Sequence, residues 1–248
     1  MDQPPPPPLS TASQLIADTV IPATTITPVP DIAAKPPPPP PKDAAQQKPP
    51  SSDIAIEIAT SSDGDDEALV ARLTGIVNQV YFDTESDIFV EGFQRTDEEE
   101  VRGIIQAGEL AVAYLLPTLT LTPEQQQQQQ DQKRQAIGCI RIRQVSDSVG
   151  ELGMMALDPA HQGGGKGSAL VRFAEQHMKD TLGLPISRLE LLVPSGFHHA
   201  FKARLQGWYD KLGYRVVRLG VFQDEYPKIA ALLRGPTEYR VFEKTLVG

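Results

Sequence analysis

The strongest chemical signal in this 248-residue chain is the run His161-Gln162-Gly163-Gly164-Gly165-Lys166-Gly167-Ser168, which lies between a predicted strand and a predicted helix. Glycines let backbone N–H groups approach and surround a ligand, and the start of the following helix adds a positive dipole end. The segment is therefore suited to an anion, phosphate above all. Spacing excludes two familiar phosphate loops. A Walker loop needs Gly, four residues, then Gly-Lys-Ser/Thr, but Lys166 is followed by Gly167, and Ala160 stands five before Gly165. The pattern G-x-G-x-x-G starting at Gly163 needs glycine at its sixth position and meets Ser168. Metal chemistry has less support. His198 and His199 are adjacent on a predicted loop, and adjacent histidines seldom ligate one ion. Cys139 is the single cysteine, which excludes a disulfide framework and a cysteine zinc cage; its place between Gly138 and Ile140 in a strand predicts a buried, inert thiol.

The elements that must position this turn are legible from periodicity. Asp53 to Ile58 alternates with period two and predicts a half-buried strand. Leu69, Leu73, Ile76, Val77 and Val80 form one apolar stripe on a helix over 66–81, with Asp65, Asp66 and Glu67 at its N-terminus. Thr96 and Glu99 make a capping-box pair that opens a short helix to about Ala107, closed by Gly108. Strands are expected over 109–116, 136–143 and 149–157, the last stopped by Asp158-Pro159. Then come a helix over 167–182, a strand over 188–193, a helix over 199–212 closed by Gly213 and a strand over 214–221. A short helix over 227–233 and a final strand over 239–246 complete the order. Such alternation predicts a mixed α/β domain around one central sheet, and no internal repeat interrupts it.

Composition sets the limits of that domain. Sixteen of the 23 prolines fall in residues 1–50, and residues 1–53 contain no Phe, Tyr or Trp. A segment of this kind buries too little apolar surface to offset its chain entropy, so residues 1–52 are expected to form a disordered proline-rich tail. Its runs Pro4 to Pro8 and Pro36 to Pro41 favour polyproline II, either as a stiff solvated tail or as a ligand for SH3- or WW-type domains. Residues 117–135, with Gln125 to Gln130, are expected to be a flexible insertion at a hairpin tip. The formal charge of −9 argues against a nonspecific nucleic-acid binder. No apolar run approaches membrane-spanning length, and the start of the chain has no secretory-signal pattern, so a cytoplasmic protein is expected, with the nucleus left open.

A third phosphate-loop pattern fits where the other two fail. With Gln162, Gly165 and Gly167 in the defined positions of Q/R-x-x-G-x-G/A, the chain resembles the GNAT superfamily of acyl-CoA N-acyltransferases. Gly150 to Pro159 looks like that family's fourth strand and following turn, and Gly207-Trp208-Tyr209-Asp210-Lys211-Leu212-Gly213-Tyr214 like its later helix-to-strand segment. The resemblance spans about residues 54–246 and is strongest over 136–217. It implies a mixed, mostly antiparallel central sheet splayed between strands 4 and 5, with helices on both faces and residues 53–248 as the catalytic domain.

The resemblance also implies chemistry. Acetyl-CoA as co-substrate would thread between the splayed strands, with Met155, Ala156 and Leu157 along its pantetheine arm and Met155 and Leu157 offering backbone groups. The turn Gln162, Gly163, Gly164, Gly165, Lys166, Gly167 and Ser168 would hold its pyrophosphate, with the Lys166 side chain either on a phosphate or in solvent. A primary amine would attack the thioester directly in a ternary complex. Glu151, by its position in the fourth strand, is the candidate general base, against a reading as a solvent-facing strand-edge carboxylate; Tyr209 is the candidate acid for the leaving thiolate, against a core tyrosine. Trp208 is expected in the core. Relatives often carry Asn and Ala seven and four residues before this tyrosine, where Lys202 and Leu205 stand here, so local contacts to CoA differ. The acceptor, a small amine, a polyamine or a protein amine, is expected beside the segment from Tyr81 to Thr96, whose Asp83, Glu85, Asp87 and Glu91 either attract a cation or form a solvated loop. The alternative function is a non-catalytic acyl-CoA-binding module with a proline-rich interaction tail.

Overall fold

A computed structural model describes residues 53–116 and 134–246; the proline-rich tail and nearly all of the glutamine-rich insertion lie outside the described residues. The chain begins with β1 (Ile54–Ile58) and a 3-10 turn, then α1 (Glu67–Glu85) and α2 (Glu98–Gln106). β2 (Leu110–Leu115), β3 (Ala136–Gln144) and β4 (Val149–Leu157) follow as consecutive antiparallel strands. α3 (Lys166–Asp180), β5 (Ile186–Pro194), α4 (Ala200–Lys211) and β6 (Arg215–Gly220) come next. Two single-turn helices, α5 (Phe222–Glu225) and α6 (Pro227–Ala230), lead into β7 (Thr237–Thr245). The sheet order is β1-β2-β3-β4-β5-β7-β6, and only the β4–β5 pair is parallel.

Local chemistry explains most boundaries. The Asp66 carboxylate caps α1 by accepting from the N–H groups of Ala68 and Leu69 at 3.1 and 3.2 Å. Val70, Leu73, Ile76 and Val77 then bury one stripe of that helix against the sheet, each worth roughly 1.5–3 kcal/mol. The predicted capping box is corrected by one residue. Asp97, not Thr96, caps α2, its carboxylate accepting from the Glu100 N–H at 2.8 Å, because a carboxylate there interacts better with the orphan amides than a hydroxyl does. The helix expected over 227–233 is a single turn, Pro227–Ala230, preceded by a separate turn at Phe222–Glu225; Tyr226 between them precedes Pro227 and is pushed out of helical conformation.

Two apolar layers flank the sheet. One, with α3 and α4, gathers Ile140, Leu152, Leu170, Met178, Leu189 and Phe242; the other, with α1 and α2, gathers Val70, Leu73, Ile105, Val112 and Ala156. A third, smaller cluster of Phe89, Phe222, Ile229, Tyr239 and Val241 fills the end where β5 and β7 pass the α5–α6 turn.

β4 and β5 pair only from Val149↔Ile186 to Leu152↔Leu189, after which β4 runs on to Leu157 and β5 to Pro194 without each other. A β-bulge accounts for the divergence. Between Arg141↔Gly153 and Cys139↔Ala156, β4 spends three residue steps against two on β3, and Met154 takes φ +45°, a strained value for a side chain of this size. Its burial at 3% exposure holds it there. The close strand approach beside the bulge requires Gly138, where a Cβ would lie 2.4 Å from the Ala156 carbonyl oxygen.

Candidate active site

The divergence of β4 from β5 opens a cleft of about 540 Å³. At its far end lies the glycine turn. Gly163, Gly164 and Gly165 all take positive φ, at +89°, +60° and +85°, which side-chain-bearing residues rarely adopt. Gly165 stands at the N-cap position of α3. Lys166 N–H bonds to the Gly163 carbonyl and Ala169 N–H to that of Gly165, but the N–H groups of Gly163, Gly164, Gly165, Gly167 and Ser168 meet no acceptor among the described residues. Open amides at a helix N-terminus are the physical requirement for an anion cradle. The Gln162 side chain fastens the turn, donating to the Leu157 carbonyl at 3.1 Å. Gly167 faces the cleft, where a Cβ would stand 3.2 Å from Cε of Met155.

Along β4, Asp158 N–H bonds to the Ile137 carbonyl, so the two-residue alternation of the ladder turns the backbone groups of Met155 and Leu157 away from β3 and toward the cleft. From the opposite wall, the indole N–H of Trp208 reaches across to the Ser168 hydroxyl at 3.3 Å. Trp208 therefore lines the cleft rather than lying wholly in the core.

The predicted residues converge here. Glu151, Met155, Ala156, Leu157, Gln162, Gly163, Gly165, Lys166, Gly167, Ser168 and Tyr209 all line the one cleft, while Gly164 is in the turn but off its wall. The Lys166 ammonium is committed to Asp53 at 3.0 Å, with the lysine side chain 13% exposed, so the solvated alternative does not hold. The Tyr209 ring packs against Trp208, Tyr214 and Phe242. Among the described residues its hydroxyl has no hydrogen-bond partner. Burial raises the Tyr209 pKa, and Tyr81 and Glu85 raise it further, so the group stays a neutral donor. Glu151 is not a solvent-facing edge residue: its Oε1 accepts from Nη2 of Arg143 at 2.8 Å across the β3–β4 pair.

Several cleft groups carry no local sequence signal. Glu190 of β5 lines the cleft beyond the last β4–β5 pair. The Tyr226 hydroxyl donates to Glu190 Oε2 at 2.8 Å, and the Tyr239 hydroxyl donates to that of Tyr226 at 3.3 Å. Arg143 presents a buried, unbonded Nε and Arg95 an unbonded Nη1. The Arg95 guanidinium lies 5.4 Å from the centre of the Tyr81 ring. Signals for these residues existed only as oddities, such as a glutamate between Leu189 and Leu191 in an otherwise apolar strand.

The acidic segment is largely committed to other contacts. Glu85 forms a buried ion pair with Lys202, whereas Asp87, which meets Nε2 of His199 at 3.1 Å, Asp83, which accepts from Gln79 at 2.7 Å, and Glu91 are all exposed to solvent. His199 also caps α4, its Nδ1 accepting from Lys202 N–H at 3.2 Å. Among the described residues, no group of three His, Cys, Asp or Glu could hold a metal ion. Cys139 is buried, and desolvation pushes its thiol up to about 12. Among the described residues no helix is long and apolar enough to cross a membrane.

Residues 128–216, which carry the glycine turn, match the family model of an acetyltransferase (GNAT) domain. No curated protein matches the chain. Among solved structures, an aminoglycoside 6'-N-acetyltransferase complexed with coenzyme A is 14% identical, with a TM-score of 0.53 over 78% of this chain and 98% of that one. The structure of yncA from Salmonella typhimurium with its cofactor acetyl-CoA is 15% identical, with a TM-score of 0.51 over 78% of this chain and 94% of that one. At such identity the likeness is one of fold. The described residues adopt the GNAT acetyltransferase fold, with the mixed sheet parted between its fourth and fifth strands.

Proposed function

We propose, on the premise of that GNAT fold, that residues 53–248 form an acyltransferase domain that moves the acetyl group of acetyl-CoA to a primary amine by direct attack in a ternary complex. The observation that carries the reading is the parting of β4 from β5 after four paired residues, with the glycine turn at one end of the opening and Tyr209 on its wall. The open amides of the turn fit a pyrophosphate, and the outward backbone groups of Met155 and Leu157 fit the amide-bearing arm of the coenzyme. Bound acetyl-CoA would supply an activated acetyl carbon and a thiolate leaving group.

The chain's own residues would do the rest. The turn anchors the co-substrate from Gln162 to Ser168 through backbone N–H groups. Trp208 and Leu205 close the α4 side of the cleft against water. Tyr209 holds a proton where the leaving sulfur would form. Glu151, fixed by Arg143, sets negative charge at the narrow end of the cleft, beside the path of the incoming amine. The test is amine-dependent thiol release by the full chain, with acetyl-CoA and a panel of primary amines. Release that requires both substrates supports transfer. Binding of acetyl-CoA with no release for any amine would favour the non-catalytic binding module instead.

A further inference from the structure

We infer that Glu190 is the acceptor site of this cleft: it receives a primary ammonium borne on an apolar alkyl or aryl-alkyl group and takes its proton before attack. The inference rests on the transfer reading above. Position comes first. Leu189 is the last β5 residue paired with β4, and Leu189 and Leu191 face the α3–α4 layer, so Glu190 emerges on the other face immediately beyond the apex of the opening.

Partners come second. Glu151 is matched by Arg143, but Glu190 has no Lys, Arg or His within ion-pair distance among the described residues. Its bond comes from the neutral Tyr226 hydroxyl, backed by Tyr239. A partly buried carboxylate supported only by hydroxyls is incomplete without a cation. Composition of the surrounding wall comes third. Phe89, Phe93, Leu192, Phe222 and Ile229 line the same part of the cleft, and Phe89 and Phe93 stack with centroids 4.0 Å apart. Those surfaces favour an apolar substituent behind the amine over a polyamine, whose further charges would lie unsolvated against rings.

Charges facing Glu190 support its use as a base. Burial raises its pKa, and the carboxylates of Glu151 on β4 and Glu225 on α5 raise it further, against the lowering effect of the Tyr239 and Tyr226 hydroxyls. Arg218 on β6 is the facing cation, and Glu225 binds it in a two-bond pair. A carboxyl group moved up from its ordinary range is better matched to proton transfer near neutral pH.

Protons balance as follows. The ammonium gives one proton to the Glu190 carboxylate, leaving a neutral amine and a neutral acid. The amine nitrogen bonds to the acetyl carbon, the carbon–sulfur bond breaks, and the departing sulfur takes the Tyr209 proton. The second proton that nitrogen loses in becoming an amide restores Tyr209, and Glu190 releases its proton to solvent.

The experiment compares the full chain with Glu190→Gln and Tyr226→Phe, using acetyl-CoA and three probes: 2-phenylethylamine, spermidine and a lysine-containing peptide. The unmutated protein is expected to favour 2-phenylethylamine by tenfold or more in kcat/KM. Glu190→Gln is expected to keep its thermal stabilisation by acetyl-CoA and to lose about 10²–10⁴-fold in turnover at pH 7, the usual worth of a general base. Its residual rate should climb with pH as the free amine fraction grows. Tyr226→Phe removes a bond that stabilises the carboxylate, so the acid limb of the pH–rate profile should move to higher pH. Glu190→Gln within threefold of the parent with an unchanged profile, an unmoved limb in Tyr226→Phe, or preference for spermidine or the peptide would each overturn the proposal. A parent that binds acetyl-CoA but acetylates none of the probes overturns this acceptor class while leaving the broader transfer reading to the full amine panel. A parent not stabilised by acetyl-CoA overturns both.

Discussion

Replacing Tyr209 with phenylalanine isolates one oxygen atom. The ring sits 5.0 Å from Trp208, 5.9 Å from Tyr214 and 6.2 Å from Phe242, measured between centroids, and phenylalanine keeps all three contacts. Because the hydroxyl bonds to no described residue, its loss leaves no partner unsatisfied, and stability should change by roughly 0.5 kcal/mol or less. The catalytic cost is of another order. A positioned proton donor is worth about 10²–10⁴-fold, or about 2.7–5.4 kcal/mol of barrier. Thiol release at saturating substrates should fall by that factor, while acetyl-CoA affinity from a direct titration stays within about twofold. The shape of the pH profile should persist as well. Burial first, then Tyr81 and Glu85, hold the Tyr209 pKa above its ordinary value of 10.0, so the hydroxyl stays protonated throughout the neutral range and contributes no limb there. A Tyr209→Phe enzyme with kcat within threefold of the parent, or one whose deficit is entirely in acetyl-CoA binding, would refute the assignment of this residue as acid.

Four further outcomes follow from the geometry. Gly167→Val, whose Cβ would press on Cε of Met155 from 3.2 Å, should raise the acetyl-CoA dissociation constant about tenfold or more; Gly165→Ala should cost about 1–2 kcal/mol in urea unfolding, because φ +85° is left-handed. Lys202→Met should destabilise by about 3–5 kcal/mol, since it strands the Glu85 carboxylate, 14% exposed, without its partner; Lys202→Met/Glu85→Leu should recover most of that loss in the same unfolding assay. Cys139, buried and with its thiol pushed up to about 12, should resist a thiol-specific disulfide reagent at pH 8 in the native protein and react fully once unfolded.

What was legible in the sequence was local. The glycine turn announces itself because three consecutive positive φ values demand the residue type that spells it. Strand and helix periods place β4, α3, β5 and α4 within two residues or so of their observed ends. The opening between β4 and β5 was not readable from periodicity; it came through the family resemblance, and its physical source, the bulge at Met154, depends on a register across strands. Glu190 carries no local signal because its meaning comes from Tyr226 and Tyr239, 36 and 49 residues further along the chain, and from what β4 does beside it. The pairing of Asp87 and Glu85 is hidden for the same reason: their partners, His199 and Lys202, lie more than 100 residues away and form with them a clamp between the C-terminal end of α1 and α4. Lys202, which departs from the family's usual Asn, is part of that clamp.

The central claim is that the opening between β4 and β5 binds acetyl-CoA by its glycine turn. Thermal unfolding of the full chain, alone and with acetyl-CoA, beside a Gly165→Glu/Gly167→Glu variant, tests it most directly. At a hundred times the dissociation constant, bound ligand should add about 2.7 kcal/mol, which for a domain of this size is a midpoint rise of roughly 5–10 °C. The account predicts that rise in the unmutated protein and none in the variant. An equal rise in both proteins, or none in either at millimolar acetyl-CoA, would contradict it.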